Sequence, residues 1–104
     1  MKLYTTDYIS DKKIETLGLV VGSTIQTVHA GKDFGAGLKN LFGGELTAYT
    51  EMMDKARDIA INRMIAKAEA EGAQAIVGVR FTSAEVTQAA AEVIVYGTAV
   101  KILD

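Results

Sequence analysis

The chain has 104 residues with a net charge of −2, and it is 49% apolar and 23% charged. These values predict one soluble globular domain over residues 1–104 with a modest core. It contains no Cys, which excludes disulfides and thiolate metal sites. Because no basic patch exists, we expect no nucleic-acid partner. No signal-peptide core or membrane span of about 20 apolar residues is present, so we expect a cytoplasmic protein with no membrane partner.

The first part of the chain predicts two strands and a Gly-rich segment. Residues 3–5 form a short strand, followed by a polar connector. Residues 17–29 alternate with period two, which predicts a longer strand with its leucines on one face. Residues 31–44 are rich in Gly and predict a short helix or folded loop. Their Gly pattern lacks the third Gly and the Gly-Lys-Ser/Thr context of phosphate-binding loops.

A long helix is predicted over residues 44–71, with Gly72 as its C-cap. Its apolar arc on the helical wheel is about 200° wide, whereas a simple surface helix needs about 100°. Arg57 falls inside this arc. The main apolar stripe consists of Leu46, Tyr49, Met53, Ala56, Ala60, Met64 and Ala68.

Two further strands complete the prediction, over residues 75–83 and 93–103, with a polar and Ala-rich connector between them. Residues 93–96 are apolar on both faces, which predicts a strand that is covered on both sides. In the first of these strands the alternation predicts two rows. One row is Val77, Val79 and Phe81, and the other is Ile76, Gly78, Arg80 and Thr82.

The wide helical arc and the double-sided strand predict self-association. One helix can cover one face of a small sheet, so apolar surface is left over on both elements. A closed homo-oligomer, such as a ring, would cover it. The alternative is that residues 31–44 fold over this surface within one subunit.

Five side chains are candidates for binding a ligand or a metal ion: Glu45, Tyr49, Arg57, Arg80 and His29. Arg57 forms an ion pair between subunits, extends its charged end to solvent along its apolar stem, or lines a pocket for a small anionic ligand. His29 is the single His, and a strand-end His bonded to backbone is the commoner case. In a ring, one His per subunit could still build a metal site. No nucleophile–base pair is recognisable, so no catalytic residue is predicted.

Several motifs are specific enough to indicate a family. They are Gly43-Gly44-Glu45, Tyr49-Thr50, Ala56-Arg57, the run from Gly72 to Phe81, and Val95-Tyr96-Gly97-Thr98. Together they resemble the YbjQ-like family, small bacterial and archaeal proteins of unsettled function that carry a heavy-metal-binding label. The resemblance implies an α+β fold of the dodecin-subunit type, β-α-β-β, with an antiparallel sheet packed on one long helix. It also implies a homopentameric ring.

The leading hypothesis is therefore a non-enzymatic homopentamer that binds a small ligand or a metal ion at subunit interfaces. A soft metal ion would have to rest on methionines and one His, since Cys is absent. These residues are Met52, Met53, Met64 and His29. The alternatives are an enzyme whose active site is shared between subunits, for instance through Glu45 with Arg63 or Tyr49, and a purely structural assembly protein.

Overall fold

The computed structural model describes residues 1–28, 44–87 and 90–103. This part of the chain has an α+β fold with one helix and a four-stranded sheet, which agrees with the predicted class. The elements in chain order are β1 (Lys2–Leu3), β2 (Lys13–Thr27), α1 (Gly44–Ala70), β3 (Ala75–Thr87) and β4 (Ala90–Leu103).

The strands lie in the order β1-β3-β4-β2. The three long strands are antiparallel to their neighbours, as predicted, whereas β1 runs parallel to β3. The chain after β1 continues along the same edge of β3. There, Thr6 O accepts a hydrogen bond from Gly78 N–H at 2.8 Å, and Tyr4 O accepts one from Val79 N–H at 2.9 Å.

The predicted connector between β3 and β4 was wrong, because both strands continue into it. Ala84 pairs with Glu92, and Glu85 pairs with Ala91. Ala and Glu have low strand preference on their own. Here Ala90 and Ala91 are buried, so tertiary packing outweighs the local preference.

The predicted long helix is confirmed, and its C-terminus follows from Gly72. Gly72 has φ +80°, a left-handed conformation that suits Gly. Its N–H donates to Glu69 O at 3.0 Å, and Ala73 N–H donates to Ala68 O at 3.0 Å. This pair of bonds is the Schellman motif, which satisfies carbonyls at the end of a helix.

α1 packs across β2 and β4 through small side chains. The buried residues of the helix recur every four positions: Met52, Ala56, Ala60, Met64 and Ala68. Gly22 of β2 lies against Ala60 and Met64, where an added Cβ atom would clash with the carbonyl oxygen of Ala60. Arg63 adds a hydrogen bond between the helix and β2, because its Nη1 donates to Ser23 O at 2.8 Å. The helix backbone therefore approaches the sheet closely at Gly22.

Among the described residues the sheet has three register shifts, and two of them are bulges that fall within the predicted rows, which were wrong at those points. In β3 the register shifts between Val77 and Arg80, at Gly78 with φ +62°. Val79 therefore joins Ile76 in the core beneath the helix, while Val77 belongs to a cluster on the other face. In β2 a shift between Thr16 and Gly18 has the same effect, and Leu17 packs toward the helix-side core. A bulge adds one residue and inverts the alternation after it.

The sheet face opposite the helix is half covered. Ile9, from the segment between β1 and β2, packs there on Val77 and Val100. Toward the other end, the exposed fractions are 70% for Leu19, 56% for Ile25 and 39% for Tyr96. The predicted double coverage of β4 is thus present on the helix side, and its other face carries apolar side chains open to solvent.

The sheet also has unpaired edges. β2 is the last strand in the sheet order, and β3 has no neighbour beyond Arg80 on its outer side within the described residues. The radius of gyration is 16.8 Å, compared with about 13 Å for a compact chain of 100 residues. The subunit is elongated, with much of its strand surface exposed. In the described residues no helix is long and apolar enough to cross a membrane.

Candidate ligand site

A small cleft of about 100 Å³ lies between α1 and the outer half of β3. α1 packs mainly on β2 and β4, so this half of β3 lies beside the helix and not beneath it. The cleft is lined by Met53, Arg57, Phe81, Thr82, Ser83 and Val93. Val93 is buried, whereas Phe81 is 48% exposed. The cleft therefore runs from a buried apolar base to an open apolar rim, and we call it the Arg57 cleft.

Arg57 supplies the charge among these lining residues. Its Nη2 donates to Asp54 Oδ1 on the same helix, and its side chain is 43% exposed. The helical wheel places Arg57 within the apolar arc, but the separation of β3 from the helix leaves it in contact with solvent. A guanidinium has five N–H donors. Contact with Asp54 through one nitrogen leaves further donors for an anion.

Arg80 lies in a different environment. Its neighbour Phe81 lines the Arg57 cleft on the helix side, so alternation along β3 puts Arg80 on the opposite face. Its Nη1 donates to the carbonyl oxygens of Thr5 at 2.8 Å and Val79 at 2.9 Å. Arg80 thereby holds the N-terminal segment against β3. Within one subunit the two arginines do not share a pocket.

The remaining predicted site residues lie near the start of the helix or before it. Tyr49 is partly buried on α1, eight residues from Arg57 and so about 12 Å along the axis. The backbone of Glu45 belongs to α1, but its side chain lies outside the described part of the chain, as does all of His29. That these residues bind a ligand with Arg57 stays a prediction.

A second, more polar cleft of about 270 Å³ lies between the end of β2 and the first half of α1. Its lining residues are Gln26, Thr27, Val28, Ala48, Glu51, Met52 and Lys55. Glu51 and Lys55 carry opposite charges one helical turn apart. This cleft has mixed charge and wide access to solvent, so it offers no single charge preference to a ligand.

A family model described as "Putative heavy-metal-binding", YbjQ_1, matches residues 1–103. The chain belongs to the YbjQ family. The predicted resemblance is confirmed by close relatives along the whole chain. A UPF0145 protein of Clostridium novyi (strain NT) is 59% identical over 103 residues, covering 99% of this chain and 100% of the relative. A UPF0145 protein of Methanosarcina acetivorans is 52% identical and covers 100% of this chain and 99% of its own.

A crystal structure shares the fold of this YbjQ-family chain. It is a protein with unknown function of the DUF74 family from Pediococcus pentosaceus ATCC 25745. The TM-score is 0.73 at 18% sequence identity, with 99% of this chain and 98% of the other covered. At this identity the likeness supports the α+β architecture and carries no residue role.

The described residues of this YbjQ-family chain do not fit a heavy-metal site. Among them no group of three or more His, Cys, Asp and Glu side chains comes together, and the whole sequence has no Cys. Soft metal ions would need thiolate, thioether or imidazole ligands. Met52 and Met64 are buried packing residues, 12 positions and therefore about 18 Å apart along the helix. The methionines do not converge on one site.

The geometry also bears on the enzyme alternative. Glu45 and Arg63 are 18 residues apart on one continuous helix, which separates them by about 27 Å along its axis. Arg63 instead binds the carbonyl oxygen of Ser23. An acid–base pair of these two residues within one subunit is therefore excluded, and a shared enzyme site would need a neighbouring subunit.

Sequence reasoning found Arg57 but missed its apolar surroundings. Alternation placed Phe81 in one row with Val77 and Val79, and Val93 was predicted as part of a strand covered on both sides. The signal that could have found them is Gly78, since a Gly inside a strand pattern suggests a bulge. A bulge there moves Phe81 to the helix side, beside Arg57.

Proposed function

We propose that this YbjQ-family protein is a non-enzymatic homopentameric ring, built from dodecin-type subunits, that binds a small anionic ligand at subunit boundaries. The observation that carries the proposal is the position of the Arg57 cleft next to the unpaired outer edge of β3. A neighbouring subunit packed against that edge would close the cleft. A cytoplasmic location accompanies this proposal.

Assembly is supported by surface that the described part of one subunit leaves open. Within those residues β2 is the last strand of the sheet, and no strand lies beside the outer half of β3. Such edges readily pair with another chain. Leu19, Ile25 and Tyr96 form an apolar patch on one sheet face, and such patches mark interaction sites. Pairing at the edges and burial of this patch would both follow from a closed ring.

Ligand binding is supported by the composition of the Arg57 cleft. Binding pockets are mostly apolar with a few polar groups that fix orientation. Here Met53, Phe81 and Val93 supply apolar walls, and Arg57 supplies a half-exposed guanidinium. Glu45 and Tyr49, on the first turns of the same helix, and Arg80, on β3, are assigned to the boundary around the cleft.

Native mass spectrometry of the purified protein tests the assembly and the ligand together. Five copies of the 11.1 kDa chain would give about 56 kDa, plus the mass of any retained ligand. We expect Arg57→Ala to keep the five-subunit mass and to lose the retained ligand. Dissociation of Arg57→Ala into smaller species would instead assign Arg57 a structural role and contradict the proposal.

The family description makes a metal ion the competing ligand, with His29 as its candidate. Calorimetric titration with zinc, copper, nickel and cadmium separates the two cases. We expect no saturable heat at micromolar metal, because the described donors do not converge. Saturable heat that disappears in His29→Ala would overturn the anion proposal in favour of a metal site between subunits.

A further inference from the structure

The lining of the Arg57 cleft indicates which class of anion it would bind. This inference rests on the proposed function. Its walls come from three elements: Met53 of α1, Phe81 of β3 and Val93 of β4. Ser83 pairs with Val93 across the β3–β4 ladder, so its hydroxyl shares the helix side of the sheet with Val93. The cleft thus combines an apolar base with a cation and a hydroxyl near its opening.

The charge balance favours an anion with one negative charge. Arg57 is the charged residue among those lining the cleft, and Asp54 already lies against its Nη2. A carboxylate can take two parallel bonds from a guanidinium fork. A dianion such as phosphate would meet one cation and the repulsion of Asp54, and it would leave the apolar walls without a partner.

The size of the cleft limits the carbon chain. Its volume of about 100 Å³ is smaller than the cavity of about 150 Å³ that accepts benzene. A short alkyl chain on the carboxylate therefore suits the cleft better than an aromatic ring does.

We propose that the Arg57 cleft binds a short unbranched aliphatic carboxylate, with the carboxylate on Arg57 and the alkyl chain on Val93 and Met53. Butyrate is the member of this class chosen for the test. From acetate to butyrate, affinity rises about fourfold for each buried methylene. Beyond butyrate it levels off, because added methylenes stay in solvent.

Methionine methyl NMR on the intact protein reports occupancy of this cleft. With ¹³C-methyl methionine, Met53 lines the Arg57 cleft, Met52 lines the second cleft, and Met64 is fully buried away from solvent. Titration with butyrate should shift Met53 saturably, with little change at Met52 and Met64. Butanol, which has the chain without the charge, and inorganic phosphate, which has charge without the chain, should each bind at least tenfold more weakly.

The two partners of the ion pair give opposite predictions. Arg57→Gln removes the cation and should weaken butyrate binding at least tenfold. Asp54→Asn removes the competing carboxylate and should tighten binding two- to tenfold, whereas Lys67→Gln, at an exposed position on the last turn of the helix, should leave it unchanged. If the Arg57–Asp54 pair serves structure alone, the two substitutions would not change butyrate affinity in opposite directions.

The outcomes separate this inference from the proposed function. If phosphate binds as tightly as butyrate and both need Arg57, the site is an anion site as proposed, but the carboxylate class is wrong. If affinity does not change from acetate to butyrate, the apolar base takes no part and the class is wrong as well. If no anion shifts Met53, the carboxylate class and the ligand part of the proposed function fail together.

Discussion

Gly22 is the residue at which helix and sheet lie closest. A Cβ atom there would be 2.0 Å from Ala60 O and 2.5 Å from Met64 N, both backbone atoms of α1. We expect Gly22→Ala to lower the free energy of unfolding by at least about 3 kcal/mol, because the helix would have to move as a unit. Urea denaturation at one fixed protein concentration measures it.

Ser23→Ala is the matched control for this substitution. Ser23 is exposed on the other face of β2, and its contact with Arg63 uses the backbone carbonyl. The free energy of unfolding of Ser23→Ala should differ from that of the unsubstituted protein by less than about 0.5 kcal/mol. Equal stability of Gly22→Ala and Ser23→Ala would mean that the helix does not pack against Gly22.

Arg57 shows what sequence alone could and could not predict about the site. Its presence among apolar helical positions identified it as a candidate. Its half-exposed state depends on the position of β3 beside the helix. Its partner Asp54 lies three residues earlier on the same helix, which is a local pair. The bulge at Gly78 decides which side chains of β3 lie beside Arg57. Gly78 hints at a bulge in the sequence, but the position of β3 relative to the helix is a tertiary feature that the sequence does not contain.

At the scale of elements, the end of α1 depends on one backbone conformation. Gly72 has φ +80° and closes the Schellman motif with Ala73. We expect Gly72→Ala to cost about 1–2 kcal/mol of stability, since an L-residue strains in this region. Thermal denaturation monitored by circular dichroism at 222 nm measures the loss.

Gly72→Asn is the control for this prediction. Asn tolerates the left-handed region better than Ala, and the nearest side-chain atom to a Cβ at Gly72 is Lys101 Cε at 3.6 Å, an ordinary contact. Gly72→Asn should therefore lose clearly less stability than Gly72→Ala. Equal losses would point to crowding and not to backbone strain.

The elements that sequence predicted well are those whose signals are local. The helix has a 3.6-residue period and a Gly cap, both readable along the chain. The strand rows failed at Gly78 and at Leu17, because one extra residue at a bulge inverts every position after it. The continuation of β3 and β4 into the predicted connector was missed because the Ala-rich start of β4 becomes a strand through burial, which local preference does not contain.

For the whole molecule, the open patch of Leu19, Ile25 and Tyr96 makes the assembly testable apart from the ligand. Leu19 is 70% exposed, so Leu19→Glu should fold normally as a subunit. If the ring covers this patch, a buried and unpaired carboxylate would break the contact. We expect native mass spectrometry to show smaller species, with an unchanged circular dichroism spectrum.

Asn62→Glu is the control for the added charge. Asn62 is exposed on the solvent side of the helix, so this substitution should leave the ring intact. If Leu19→Glu also keeps five subunits, the patch lies outside the interface, and the strand edges alone would have to hold the ring.

Edge pairing and face burial have different consequences for the Arg57 cleft. A partner on the β3 edge closes the cleft, whereas a partner on the opposite face leaves it open. The Leu19→Glu variant should therefore be titrated with butyrate beside the unsubstituted protein. Smaller species that still bind butyrate as tightly as the ring would place the complete site within one subunit.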